Sequence, residues 1–251
     1  MAEVLLLGTG AALSEGGREP TCVAIRGERT TVLVDCGANP VAQLQRLGVP
    51  LESLDRLILT HLHPDHVAGF PMLVMMLWLA GRKASLPVHG PPDTVKLARQ
   101  LLGLWDTSRW TGLYEIEWHE LAMDEGTSVA VTDEFEITSA PGVHSVPVVG
   151  LRVLDVKGGG TMAYGADGEP SDGVRGLAAG VDLLIHEATG PFAGHSTAAG
   201  AARLAREAGA KRLVLVHLAP QREAWERELA AAQEVFGDGL VVGEDGMRMG
   251  I

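Results

Sequence analysis

Six residues, His61-Leu62-His63-Pro64-Asp65-His66, narrow the folds open to this chain more than any other segment. They follow the apolar run Arg56–Thr60, which reads as a β-strand. Four imidazole or carboxylate groups at one strand end require a fold that leaves that end open and brings other elements to it. Alternate side chains of an extended backbone point the same way, so His61 and His63 are placed to meet one metal ion. Asp65 and His66, past the Pro64 turn, are placed to meet a second beside it. Imidazole and carboxylate donors suit zinc, with manganese or iron as substitutes. The alternative is a polar loop whose histidines cap or pair locally, and the density of ligands argues against it.

The rest of the sequence says what kind of fold surrounds that strand end. Short runs rich in Val, Ile and Leu, among them Val4–Leu7, Cys22–Ile25, Val32–Asp35, Thr161–Gly165, Val181–His186 and Arg212–His217, alternate with helical patterns such as Phe70–Gly81, Thr94–Gly103 and Ser196–Ala208. Gly and Pro stand at the joints. That order points to mixed sheets covered by helices. No low-complexity or Pro/Ser-rich linker divides residues 1–251, which read as one domain with room for two related halves. With 46% hydrophobic residues the chain can bury a substantial core.

Charge bears on the partner. Lys and Arg number 20 against 32 Asp and Glu, a formal net charge of -12. Such a chain lacks the bulk electrostatics with which proteins grip phosphate backbones, although metal ions can reverse the sign locally. The start, MAEVLLLGTG, carries an acidic residue where a signal peptide has a basic region. The longest apolar run, Met72–Ala80, falls short of the roughly 20 residues of a membrane span. A soluble, cytoplasmic chain with no membrane partner is expected. Cys22 and Cys36 form no C-x-x-C pair and sit in strand-like runs, so buried free thiols are expected.

His61-Leu62-His63-Pro64-Asp65-His66 resembles the signature His-x-His-x-Asp-His of the metallo-β-lactamase superfamily, which also follows a strand. Other segments support the resemblance in the same chain order. They are Gly8-Thr9-Gly10, Leu33-Val34-Asp35-Cys36-Gly37, His144 in Ala-Pro-Gly-Val-His-Ser, Asp167 in Tyr-Gly-Ala-Asp, and His217 at a strand end. The resemblance implies an α/β fold, a four-layer αββα sandwich of two mixed sheets flanked by helices, with two divalent metal ions at one edge. It assigns His61, His63 and His144 to one ion and Asp65, His66 and His217 to the other, with Asp167 bridging. Asp rather than Cys at that bridging place argues for a two-metal hydrolase other than a true β-lactamase.

Leu184-Ile185-His186-Glu187-Ala188-Thr189 and Gly194-His195-Ser196-Thr197 resemble segments of ribonuclease Z and its phosphodiesterase relatives. That likeness makes His195 a proton donor to the leaving oxygen; the plain alternative is a loop histidine before an N-cap Ser196. His186 either orients a ligand from behind or is a satisfied buried histidine. His89 resembles a structural turn, and His119 reads as surface. The implied chemistry is attack on phosphorus by a hydroxide shared between two metals, with Asp65 steering its proton.

The substrate expectation turns on length. The bacterial tRNA-processing branch adds a flexible arm between the positions of His144 and Asp167. Here strand-like sequence and the tight turn Gly158-Gly159-Gly160 fill that interval. A small or cyclic phosphodiester is therefore expected, and a long nucleic acid disfavoured. The alternatives are tRNA 3′-processing and a metal-dependent esterase or lactonase. Met and Trp of Phe70–Trp78 read as core packing, with lining the mouth of the site as the alternative. Trp105, Trp110, Tyr114 and Trp118 fit either a lid or an oligomer contact, and a homodimer is implied by the resemblance alone.

Overall fold

A computed structural model describes residues 2–13, 17–220 and 222–251. In chain order its first half contains β1 (Glu3–Gly8), β2 (Cys22–Arg26), β3 (Thr31–Val34), α1 (Pro40–Arg46), β4 (Leu54–Ile58), α2 (Pro64–Val67), α3 (Phe70–Leu79), β5 (Leu86–Gly90), α4 (Pro92–Gly103) and β6 (Ile116–Glu120). The second contains β7 (Thr127–Val131), β8 (Phe135–Pro141), β9 (Val149–Asp155), β10 (Thr161–Tyr164), α5 (Asp172–Leu177), β11 (Leu183–Glu187), α6 (Ala198–Ala208), β12 (Leu213–Val216), α7 (Arg222–Phe236) and β13 (Leu240–Val242). A last strand, β14 (Arg248–Gly250), returns to the first sheet.

The strands form two seven-stranded sheets, ordered β14-β1-β2-β3-β4-β5-β6 and β13-β12-β11-β10-β9-β8-β7. Each sheet has three antiparallel pairs followed by three parallel ones, the change falling at β3 in one and β10 in the other. The strands are apolar on both faces because both faces are covered. Val4 and Leu6 point into the core between the sheets, with Val23, Val32, Ile137 and Val153. Leu5 and Leu7 point outward under the helices, with Leu44, Phe70 and Leu73. A third core lies between the second sheet and its helices, where Leu184 and Leu215 meet Ala201 and Leu204. The layers are therefore αββα, as the resemblance implied.

Two strands, β6 and β14, are not foreshadowed by apolar runs. Both are sheet edges, where short or polar strands are normal. The helix expected from Phe70 packs Phe70, Leu73, Val74 and Leu77 into the core. The aromatic cluster packs there too: Trp110 stacks on Trp78 at 5.2 Å, and the buried Tyr114 hydroxyl donates to the carbonyl of Val74. Trp105 alone of the four stands 52% exposed as a free apolar surface. Cys22 and Cys36 are buried and free. Among the described residues, no helix is long and apolar enough to cross a membrane.

The β9–β10 turn is sealed. Gly159 takes a left-handed φ of 76°, and a Cβ at Gly160 would lie 2.1 Å from the carbonyl carbon of Ile251. The chain ends are fastened beside it: the Ile251 amide donates to Ala2, and the Ala2 amide to Asp155.

Candidate metal centre

The parallel strands of both sheets release their chain at the same edge, and the polar residues of the centre are delivered there. β4 ends at Ile58. The next turn is held by Asp35, whose carboxylate accepts the Thr60 amide at 2.7 Å and the Thr60 hydroxyl at 2.8 Å. The same carboxylate accepts Nδ1–H of His66 at 2.8 Å, which aims Nε2 into the centre. Pro64 starts α2, where its missing N–H and fixed φ fit the first helical position. That short helix carries Asp65 and His66. It rides against Gly37, where any Cβ would lie 1.6 Å from the Asp65 carbonyl oxygen.

His144 follows β8; its Nδ1–H donates to the Gly194 carbonyl at 2.6 Å. Asp167 follows β10 through Ala166 at φ 55°, and His217 follows β12 at φ 52°. Such a left-handed conformation is uncommon for a side-chain-bearing residue, and here it turns each chain toward the centre. Thr189 is 2.7 Å from Nδ1 of His217 and fixes that ring.

His63 Nδ1 lies 3.1 Å from both His61 Nε2 and His144 Nε2. Asp167 Oδ2 lies 3.0 Å from His217 Nε2, 3.4 Å from His66 Nε2 and 4.0 Å from His61 Nε2. Asp65 Oδ2 is 3.3 Å from His217 Nε2 and 3.5 Å from His66 Nε2. Two ligands at zinc bond lengths in a tetrahedron stand about 3.3 Å apart, so this spacing suits ions. Ligand atoms lie within 4.8 Å of one another in four sets: His61, His63 and His144; Asp65, His66 and His217; His61, His66 and Asp167; and Asp167, His195 and His217. His66 Nε2 and Asp167 Oδ1 are buried without hydrogen-bond partners, a costly state that a cation relieves. The residues present therefore fit divalent metal ions.

The electrostatics agree. Burial, then the neighbouring His66, pushes His61 down to about 2, which keeps it neutral, as a ligand must be. Burial opposes charge on Asp65, but the hydrogen bond from His217 and the charge of His66 hold its pKa at about 2. Burial likewise opposes charge on His66, yet Asp167 and Asp35 outweigh it and lift its pKa well above the ordinary value. The carboxylates call for positive charge at this point.

His195 stands at the open side. Its Nδ1–H donates to Glu187 at 2.8 Å, and its ring lies 4.9 Å from His144 and 5.8 Å from His217. The hydrogen bond to Glu187 raises its pKa. The helix cap falls on Thr197, whose hydroxyl accepts the Gly200 amide, and Ser196 instead donates to the Thr197 carbonyl. Either hydroxyl has the chemistry for a cap, and only Thr197 has the extended backbone one residue before α6. His186 donates to the Glu187 carbonyl and packs on Gly165; among the described contacts it reaches no metal-ligand candidate. His89 is buried and stacks on His119 at 4.6 Å. Asp35, Thr60, Glu187 and Thr189 act as positioning groups; Asp35, Glu187 and Thr189 stand in segments that carry the family resemblance, but the sequence reading assigned this role to none of the four. The signal for Asp35 was its place in Leu33-Val34-Asp35-Cys36-Gly37, an acid at a strand end two residues ahead of a glycine.

A family model described as "Beta-lactamase superfamily domain" matches residues 30–218. A ribonuclease Z of Methanothermobacter thermautotrophicus is 31% identical over 290 aligned positions, covering 94% of this chain and 92% of that protein. The metallo-β-lactamase fold protein YhfI of Bacillus subtilis has a TM-score of 0.82 at 25% identity, covering 99% of this chain and 98% of that one. Human tRNase Z, short form, has a TM-score of 0.81 at 26% identity, covering 99% of each chain.

Proposed function

The chain belongs to the beta-lactamase superfamily, in its ribonuclease Z-like branch, and is a metal-dependent hydrolase; from that premise we propose that it cleaves a phosphodiester of RNA, as a ribonuclease Z does. The observation that carries this reading is His195, tied to Glu187 at 2.8 Å and facing the centre between His144 and His217. A fixed, carboxylate-backed acid suits a poor alkoxide leaving group; an ester or lactone hydrolase can use the same ligands and also expels an alkoxide, and the ribonuclease Z relatives favour the phosphodiester.

His61, His63 and His144 would hold one ion, Asp65, His66 and His217 the other, and Asp167 would serve both. The donor set favours zinc. When bound, the ions supply positive charge for the phosphate oxygens and bring the pKa of water to roughly 7. Asp65, ionised and on the edge of the cluster, orients the attacking water and accepts its proton. A bond forms from the water oxygen to phosphorus, and the bond from phosphorus to the leaving oxygen breaks. His195 gives its Nε2 proton to that oxygen, while Glu187 keeps Nδ1 tied and steadies the charge. Asp35, Thr189 and the Gly194 carbonyl hold the rings of His66, His217 and His144 so that none must reorganise.

One observation favours a second reading, a small or cyclic phosphodiester. The β9–β10 turn has no arm, and the 290 aligned positions exceed the 251 residues of this chain, so the relative carries insertions that this one lacks. The named relatives weigh the other way, toward RNA, against the expectation of a small substrate. Of the two adjacent basic pairs in the sequence, Arg82-Lys83 and Lys211-Arg212, three members are engaged: Arg82 with the carbonyls of Leu54 and Ser85, Lys211 with Asp182, and Arg212 with the Gly250 carbonyl.

Metal analysis of the purified protein with a substrate panel separates the readings. A 3′-extended tRNA precursor, a dinucleotide, cyclic mononucleotides, bis-p-nitrophenyl phosphate and a lactone would be compared. Trimming of the precursor is the expected result. Turnover of cyclic mononucleotides alone would move the assignment to the second reading, and turnover of the lactone alone would overturn the reaction class.

A further inference from the structure

His195 also borders a second space. A cleft of about 390 Å³ runs along one face of α6, from His195 and Thr197 at its amino end, past Gly200 and Arg203, to Glu207. Its charges are not equally engaged. Arg175 is paired with Asp172 and, at 3.2 Å, with Glu207, so Glu207 is taken although it stands one turn from Arg203. Arg203 is exposed and makes no hydrogen bond or ion pair among the described residues. A guanidinium held over a polar cleft with its donors free is suited to an oxyanion, above all a phosphate. The amino end of α6 adds the same sign of potential at the His195 end. Arg203 lies six residues beyond Thr197, about 9 Å along the helix axis. A side chain of arginine length brings its charge back to about one nucleotide from His195.

We propose that this cleft receives the nucleotide on the leaving-group side, with Arg203 binding the next backbone phosphate of the strand. The site is then built for an oligonucleotide rather than an isolated diester. The inference rests on the reading of His195 as the group that protonates the leaving oxygen. It accounts for a chain of net charge -12 meeting RNA without an arm: one free cation beside the centre extends the positive region by a single phosphate.

The test compares a ribodinucleotide, which has only its scissile phosphate, with a ribotetranucleotide on the metal-loaded enzyme. The wild type is expected to favour the tetranucleotide in kcat/KM by about tenfold, carried by KM. Arg203→Glu should abolish the preference and Arg203→Lys restore part of it. Arg206→Glu, exposed on α6 and outside the cleft, should leave it intact. Binding of a labelled tetranucleotide, followed by fluorescence anisotropy against salt, gives a readout independent of turnover. The slope of log affinity on log salt should become shallower by about 0.7 in Arg203→Glu. An unchanged preference and slope in Arg203→Glu would overturn the subsite. If the wild type cuts neither oligonucleotide, the reaction class fails instead, and the anisotropy series alone still decides the subsite. Arg203→Gln serves where the charge reversal lowers the melting temperature.

Discussion

Asp35 after β3 and Asp167 just past β10 occupy matching places in the two halves, each where an antiparallel run of strands gives way to a parallel one. Both turns use a left-handed residue, Asp35 itself and Ala166. Yet Asp35 is filled by three donors, the Thr60 amide, the Thr60 hydroxyl and His66. Asp167 has one oxygen with no partner and another facing three imidazoles. The difference lies in the next strand. β4 is followed by Thr60, which donates. β11 ends in Glu187, which only accepts and takes its own donors from Gly168, Thr189 and His195. One acid becomes a brace for His66 and the other keeps an oxygen open to the centre.

The contrast can be broken by substitution. Asp167→Asn should remove most bound metal and lower kcat/KM by about three orders of magnitude or more, since an ion is worth several kcal/mol to the transition state; metal analysis and steady-state kinetics measure both. His195→Ala should retain its metal yet lose about a thousandfold in kcat, and activity near wild type would remove it from the chemistry. Asp35→Asn should cost about 10- to 100-fold in metal affinity or activity, the range for a group acting through a ligand. A loss equal to that of Asp167→Asn would erase the distinction between brace and ligand.

A separate effect, on stability and not on the centre, concerns a histidine of the first sheet. Burial, then His119, lowers the pKa of His89 to about 4. The unfolded chain takes up that proton near pH 6.5 and the folded one does not, so stability is full above 6.5 and declines as pH falls toward 4. The decline attributable to this group is about 3 kcal/mol at most. Denaturant titrations of wild type and His89→Gln at pH 7 and pH 4.5 measure it, and the variant should lose less.

Much of this was legible before any coordinates. Strands apolar on both faces and the order of His61, His63, Asp65, His66, His144, Asp167 and His217 pointed to one edge of a two-sheet fold. The role of Asp35 was not, because an acid at a strand end near a glycine looks the same whether it caps a turn or braces a histidine. Which of Ser196 and Thr197 caps α6 depends on backbone angles that two adjacent hydroxyl residues do not encode. β6 and β14 escaped because an edge strand has one neighbour and need not be apolar. Substrate choice was least legible, since a missing arm and a net charge argue from absence, while the relatives argue from likeness.

The pairing of β14 with β1 sets an order of assembly. β1, made before every other described strand, finds one of its two neighbours only in β14, made after all of them, with Glu3 opposite Gly250. Until then its outer edge offers free amides and carbonyls to any other extended chain. Completion of the first sheet waits on synthesis of the second, so the two walls of the centre close together, late, and a nascent chain is most open to mispairing until β14 is made.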